Sequence, residues 1–129
     1  SLSLDPADAK LEFTAEKTPR VFELRFYSVP KKKLAAYTAR WRDHATRIYA
    51  RHGLNSIGWW TAPSKEAAGE DTVICLLAGE SVESIEKSIK SFHADEEWLR
   101  IEKETEQEGK LRTEVTAYKL IPTDFSPLK

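Results

Sequence analysis

A change of hydrophobic period that occurs twice, in the same order, limits most strongly what this chain can fold into. Phe22, Leu24 and Phe26 alternate with Glu23, Arg25 and Tyr27, the period of two of a half-buried strand, until Val29-Pro30 breaks it. Over residues 32–52 the spacing becomes three and four. Leu34, Tyr37, Thr38, Trp41, Ala45, Ile48, Tyr49 and His52 then form one stripe on a helix of about five turns. Gly53 comes next, where a left-handed residue ends many helices. Residues 55–61 and 72–78 return to strand chemistry, with Pro63, Ser64 and Gly69 in a polar loop between them. The switch then recurs. Ser81 caps a helix carrying Val82, Ile85, Ile89 and Phe92. Asp95 restarts it after a bend, with Glu96 and Glu97 in the first turn. Trp98, Ile101 and Thr105 extend the stripe towards Gly109, and residues 111–121 form the last strand. This order predicts an α+β, ferredoxin-like βαββαβ domain with an antiparallel four-stranded sheet.

A length of 129 residues is one domain. Residues 1–20 show no period and contain Pro6 and Pro19, so they are expected to form an irregular arm, ordered where Leu11 and Phe13 meet a surface. Residues 21–129 hold the domain and its C-terminal tail. Twenty basic against twenty-one acidic residues leave a net charge of -1, so no global field draws the chain to nucleic acid or an anionic membrane. The longest apolar runs fall far short of the roughly 20 residues of a membrane span. Neither nucleic acid nor a membrane span is expected. The single cysteine, Cys75, lies in the apolar run 73–77 and is expected to be a small buried hydrophobe rather than a reactive thiol. The chain opens at Ser1 without an initiator Met, so a cytoplasmic and an exported location both remain open.

Trp59 and Trp60 are adjacent on a strand and must point to opposite faces of the sheet. One packs under the helices and the other stands on the open face, where a large exposed aromatic marks an interface. Which does which is left open. The expected open face also carries Tyr27 and the pair Glu23 and Arg25, with Arg112 and Glu114 in the same relation on the last strand. These charges either pair across strands or across a dimer, or form a solvated polar face. A ligand pocket is expected between the first helix and the sheet, lined by Tyr37 and Trp41, edged by His44 and completed by the inward tryptophan. His44 lies about 80° from the middle of the apolar stripe, and is either a pocket group or a boundary histidine bonded to a neighbour. The alternative to the pocket is a filled core in which these rings pack on Phe22, Leu24 and Phe26.

His44 and His52 are about 12 Å apart along a helix and cannot share a metal ion, and no Cys-x-x-Cys or His-x-x-x-His pattern occurs. No metal and no cofactor are expected. His52 is expected to serve the helix end, and His93 to lie at or near the surface. Serine, histidine and aspartate occur without the spacing or context of a nucleophilic site. The basic first helix, with Arg40, Arg42, Arg47 and Arg51, and the acidic stretch 80–108 are expected to attract each other.

Several motifs taken in order carry a family resemblance. They are Glu23-Leu24-Arg25 with Tyr27, Lys33-Leu34, His44, Arg51-His52-Gly53 with Gly58 and an aromatic pair, Ala94-Asp95 with Trp98, and Pro122-Thr123-Asp124-Phe125-Ser126-Pro127. Over roughly residues 21–129 the chain resembles the NIPSNAP family, although Glu stands between Asp95 and Trp98 where the family often has Pro. The resemblance implies a homodimer in which two sheets pack face to face into an α/β barrel. The family lends no agreed chemical activity. The expected function is a binding or scaffold module with a protein or small-molecule partner. The alternative is a small-molecule enzyme of the dimeric-barrel type, a cofactor-free monooxygenase or a haem-binding or haem-degrading protein, an analogy of fold alone. Whether the chain is an enzyme is left open.

Overall fold

A computed structural model describes residues 20–129 of the protein, and the arm expected over residues 1–20, with Leu11 and Phe13, lies outside the described residues but for Arg20. The elements run β1 (Val21–Pro30), a 3₁₀ turn (Lys31–Lys33), α1 (Leu34–Arg40), a π-helical turn (Trp41–Ala45), α2 (Thr46–Arg51), β2 (Asn55–Ala62), β3 (Glu70–Gly79), α3 (Val82–His93), α4 (Glu96–Thr105) and β4 (Glu114–Leu120). The four strands form one antiparallel sheet in the order β2-β3-β1-β4, the ferredoxin-like arrangement that the repeated period predicts. Among the described residues no helix is long and apolar enough to cross a membrane.

The helix boundaries obey local chemistry. Ser81 Oγ accepts the Ser84 N–H at 3.0 Å, and Ser84 Oγ accepts the Ser81 N–H at 3.2 Å, a reciprocal cap that starts α3. Asp95 Oδ1 accepts the Trp98 N–H at 3.0 Å and starts α4. Gly53 ends the first helical run with φ +83°, a left-handed conformation that glycine adopts without steric cost. The described β4 starts at Glu114, later than expected; residues 111–113 are irregular, and Leu111 joins the core.

Strand register decides which side chains lie under the helices. Tyr27 pairs with Val73, Arg25 with Cys75 and Glu23 with Leu77. Val29, Val73, Cys75 and Leu77 belong to the buried core with Tyr37, Ala45, Ile48 and Phe92 of the helices. The face of β1 carrying Glu23, Arg25 and Tyr27 is therefore the covered one. This corrects the expectation that these residues lie on the open face. The open face instead carries Phe22, Leu24 and Phe26 of β1, beside Ala78, Leu76 and Ile74 of β3 and Leu120, Tyr118 and Thr116 of β4. The filled-core alternative, with those three residues under the helices, falls with the same finding.

The tryptophan pair divides as its parity requires. A bulge between Ser56 and Gly58 sets the register so that Trp59 pairs with Cys75 on the covered face and Trp60 with Ile74 on the open face. Trp59 packs against the core, whereas Trp60 is 51 % exposed. A Cβ on Gly58 would fall 2.5 Å from the Trp60 ring, so glycine there is what allows the indole to lie along the strand.

Candidate functional site

The covered face of β1 begins a buried polar line. Arg25 Nη1 donates to Glu23 Oε2 at 2.5 Å and Arg25 Nε donates to the Tyr27 hydroxyl at 2.8 Å. That hydroxyl lies 3.3 Å from the Tyr49 hydroxyl of α2. Burial pushes the Tyr27 and Tyr49 phenols up, Tyr49 the further, and burial with the Tyr27 field also raises Tyr37. For Arg25, burial alone would lower the guanidinium pKa, but the Tyr27 and Tyr49 oxygens and the Glu23 carboxylate outweigh it and raise it. The phenols thus stay protonated and Arg25 stays charged at neutral pH.

Above this line lies a cavity of about 80 Å³. Arg25 and Tyr27 of the sheet form its floor, and Tyr37, Arg40, Trp41 and Tyr49 of the first helical run form one wall. Phe92, Trp98, Glu102 and Glu106 form the opposite wall, with His93, Lys110, Arg112 and Thr113 around it. Arg40, 5 % exposed, donates from Nη1 to Glu106 Oε2 and Thr105 Oγ1, both at 3.0 Å, and lies over the Trp98 ring at 4.8 Å. Arg112 stands 6.0 Å from the Tyr27 ring and, among the described residues, has no carboxylate within ion-pair distance. Among the described residues the buried indole N–H groups of Trp98 and of Trp59, which lies outside this cavity, have no hydrogen-bond partner, while the Trp41 indole is directed to the Tyr37 hydroxyl. His93 is exposed on its outer side, and partial burial, together with the fields of Arg25 and Arg112, lowers its pKa despite Glu102.

Of the five residues expected to form a pocket, four are divided between two hollows. Tyr37 and Trp41 line the cavity. Trp41 also lines a shallower outer groove of about 370 Å³ with Thr38, Arg42, Thr46, Trp59 and Trp60. His44 lines neither and is half-buried on the helix. The reason is the π-helical turn at Trp41–Ala45, where Thr46 Oγ1 reaches back to the Trp41 carbonyl at 3.0 Å. An extra residue in that turn rotates the side chains beyond it away from a count of 3.6 per turn, so the angle assigned to His44 no longer applies. Of the charged residues expected on the open face, Arg112 lines the cavity, Glu23 and Arg25 lie beneath the helices, and Glu114, paired with Ser28, is exposed. Sequence reasoning missed Tyr27, Tyr49, Arg40, Trp98 and Arg112 as one group. Each reads singly in the sequence instead: Tyr49 and Trp98 in the two helical stripes, Arg40 among the basic residues of the first helix, and Tyr27 and Arg112 on the expected open face.

A second polar cluster ties the two helical layers together. His52 Nε2 lies 2.6 Å from Asp95 Oδ2, and His52 Nδ1 lies 2.6 Å from Ser91 Oγ. Arg51 also reaches Asp95 at 2.8 Å, and Arg47 and Arg51 both grip Glu97. The His52 N–H closes its own helix end on the Ile48 and Tyr49 carbonyls while its ring bridges to the next helices, and the basic and acidic helices attract each other as expected. Serine, histidine and aspartate do meet here, but none of the three lines either hollow, and Asp95 is already held by Arg51 and the Trp98 N–H. The cluster acts as a latch. Cys75 is buried and its thiol is pushed up to about 12 by burial, leaving no thiolate for chemistry near neutral pH.

The NIPSNAP family profile matches residues 22–127, in line with the resemblance drawn from the motifs. No curated protein matches the sequence. Among solved structures the chain is similar to a NIPSNAP family protein from Agrobacterium tumefaciens, 23 % identical with a TM-score of 0.69 over 85 % of this chain and 99 % of that one. A second protein of that family and organism, of unknown function, is 18 % identical with a TM-score of 0.70 over 88 % and 97 %. SnoaB from Streptomyces nogalater, a cofactor-independent oxygenase, is 9 % identical with a TM-score of 0.50 over 84 % and 98 %. At these identities the likeness is one of fold.

Proposed function

The chain belongs to the NIPSNAP family, and from that premise we propose that it works as a homodimeric binding module. Two copies close their open sheet faces on each other into an α/β barrel, and each keeps a small-molecule chamber under its own helices. The apolar open face carries this reading. Leu24, Phe26, Ile74, Leu76 and Leu120 stand there with Trp60, 51 % exposed, and Tyr118, 55 % exposed, on the sheet face that no helix of the described residues covers. A contiguous apolar face is costly in water, and a two-fold axis lets one such face cover another. Sheets pack about 10 Å apart with their side chains interdigitating, which suits a face of large rings and branched chains.

A binding role is favoured over catalysis by the chemistry of the chamber. Its phenols are held protonated by burial, Glu106 is engaged by Arg40, and its cations and indoles are donors, which leaves His93 and Glu102 as the lining groups able to take a proton. A cavity of about 80 Å³ has no room for haem, since even drug-sized ligands need about 300 Å³ or more. The fold likeness to an oxygenase adds no residue of this chain to that account. Sedimentation equilibrium of the purified chain at micromolar concentration should return twice the monomer mass of 14.7 kDa. A monomer mass would remove the paired-sheet reading.

A further inference from the structure

We propose that the chamber takes a small monocarboxylate, held by Arg112 and by the Trp98 indole of the wall. This rests on the reading that the chamber binds a ligand, and not on dimerisation. The charges come first. Arg25, Arg40, Lys110 and Arg112 line the cavity against the two carboxylates of Glu102 and Glu106. Arg25 is satisfied by Glu23, and Arg40 by Glu106 and Thr105. Arg112 is the lining guanidinium with no carboxylate partner among the described residues, and its field reaches both Tyr37 and His93. Arginine presents a planar fork that matches a carboxylate with two parallel hydrogen bonds.

The second observation is independent of charge. Trp98 lines this cavity and is 4 % exposed, yet among the described residues its Nε1 has no partner. The Trp41 indole on the facing wall is instead directed to the Tyr37 hydroxyl. Buried donors are almost always satisfied, so the Trp98 indole calls for an acceptor beside it. A ligand rich in oxygen acceptors meets that need, and an apolar one does not. Size sets the third limit: about 80 Å³ admits a few heavy atoms. The aromatic walls favour a flat molecule. Two carboxylates among the lining groups favour a single negative charge over two.

Pyruvate serves as the probe, titrated into the full chain by calorimetry, with pyruvamide as its uncharged counterpart and inorganic phosphate as the multivalent anion. Pyruvate is expected to bind at least about tenfold more tightly than pyruvamide, the worth of one charge-assisted contact. Arg112→Met should weaken pyruvate at least about tenfold with little change in melting temperature, and Arg112→Lys should recover part of the loss. If Arg112→Met does not fold, Lys110→Met at the exposed rim should still lower affinity several-fold. Equal affinity for pyruvate and pyruvamide would leave a ligand chamber but overturn the carboxylate. Phosphate binding more tightly than pyruvate would do the same. No binding of any probe would remove both. A monomer that binds pyruvate would sink the dimer and leave this site standing.

Discussion

Beneath the helices β1 presents Glu23, Arg25 and Tyr27, and on its other side it presents Phe22, Leu24 and Phe26. The usual order of apolar inside and polar outside is reversed on this central strand. The covered side stays stable because its polar groups satisfy one another: Glu23 with Arg25, Arg25 with Tyr27, Tyr27 with Tyr49. On the open side Phe22 is already buried with the Arg20 guanidinium 5.2 Å from its ring, and Phe26 meets Tyr118 edge to face at 5.9 Å. A strand built in this way gives its enclosed side to a polar chamber, and in the proposed dimer its apolar side meets a second copy. On that reading fold and assembly depend on the same alternation.

The largest expected effect falls on the open side. Phe26 sits on the central strand between Ile74 and Thr116, in the middle of the face that would pair. Phe26→Asp would place an unpaired carboxylate in a dry interface, at a cost of several kcal/mol, and should weaken dimerisation at least about 100-fold. Sedimentation should then return a monomer whose circular dichroism matches that of the parent. A variant that stays fully dimeric would show that the apolar side is not where the copies meet.

The next effect falls on the covered side. Glu23 is 2 % exposed, and Arg25→Met leaves its carboxylate buried without a partner. Losing one member of a buried pair costs about 3–5 kcal/mol, while replacing both by apolar groups of similar size is often close to neutral. Urea unfolding should show Arg25→Met strongly destabilised and Glu23→Leu/Arg25→Met much less so. If Arg25→Met costs under about 1 kcal/mol, the pair is as wet as a surface pair, and the contrast between the faces disappears.

Much of this was legible in the sequence, and the parts that were not share a cause. The order of elements, the caps at Ser81 and Asp95, the stop at Gly53 and the opposite facing of Trp59 and Trp60 all depend on neighbours a few residues apart. Alternation along β1 shows that its two sides differ, but both sides contain an aromatic, and only pairing with β3 tells which lies under the helices. The bulge after Ser56 then decides which tryptophan goes inward. The π-helical turn moves His44 off its expected line for the same kind of reason. The chamber gathers Arg25, Arg40, Trp98 and Arg112 from four distant segments, and no local spacing announces such a set.

The smallest effect concerns what holds the helices over the covered side. Asp95 accepts from Arg51, His52 and the Trp98 N–H, and Glu97 accepts from Arg47 and Arg51. The hydrogen bonds from Arg51 and His52 hold the Asp95 carboxyl well below the usual range, and those from Arg47 and Arg51 hold Glu97 at about 2. Both folded pKa values lie below those of an unfolded chain, which are about 4. Their contribution is therefore complete above that value and is lost as the pH falls towards the folded ones. Asp95→Asn/Glu97→Gln keeps a helix-capping side chain at position 95 but removes both titrations. The double variant should be modestly less stable than the parent at neutral pH, because these pairs lie near the surface, and close to it near pH 2. Its urea midpoint should vary less between about pH 5 and pH 2 than that of the parent. Parallel curves would mean that the helices are held over the chamber by apolar packing alone, with the latch contributing nothing to closing the covered side.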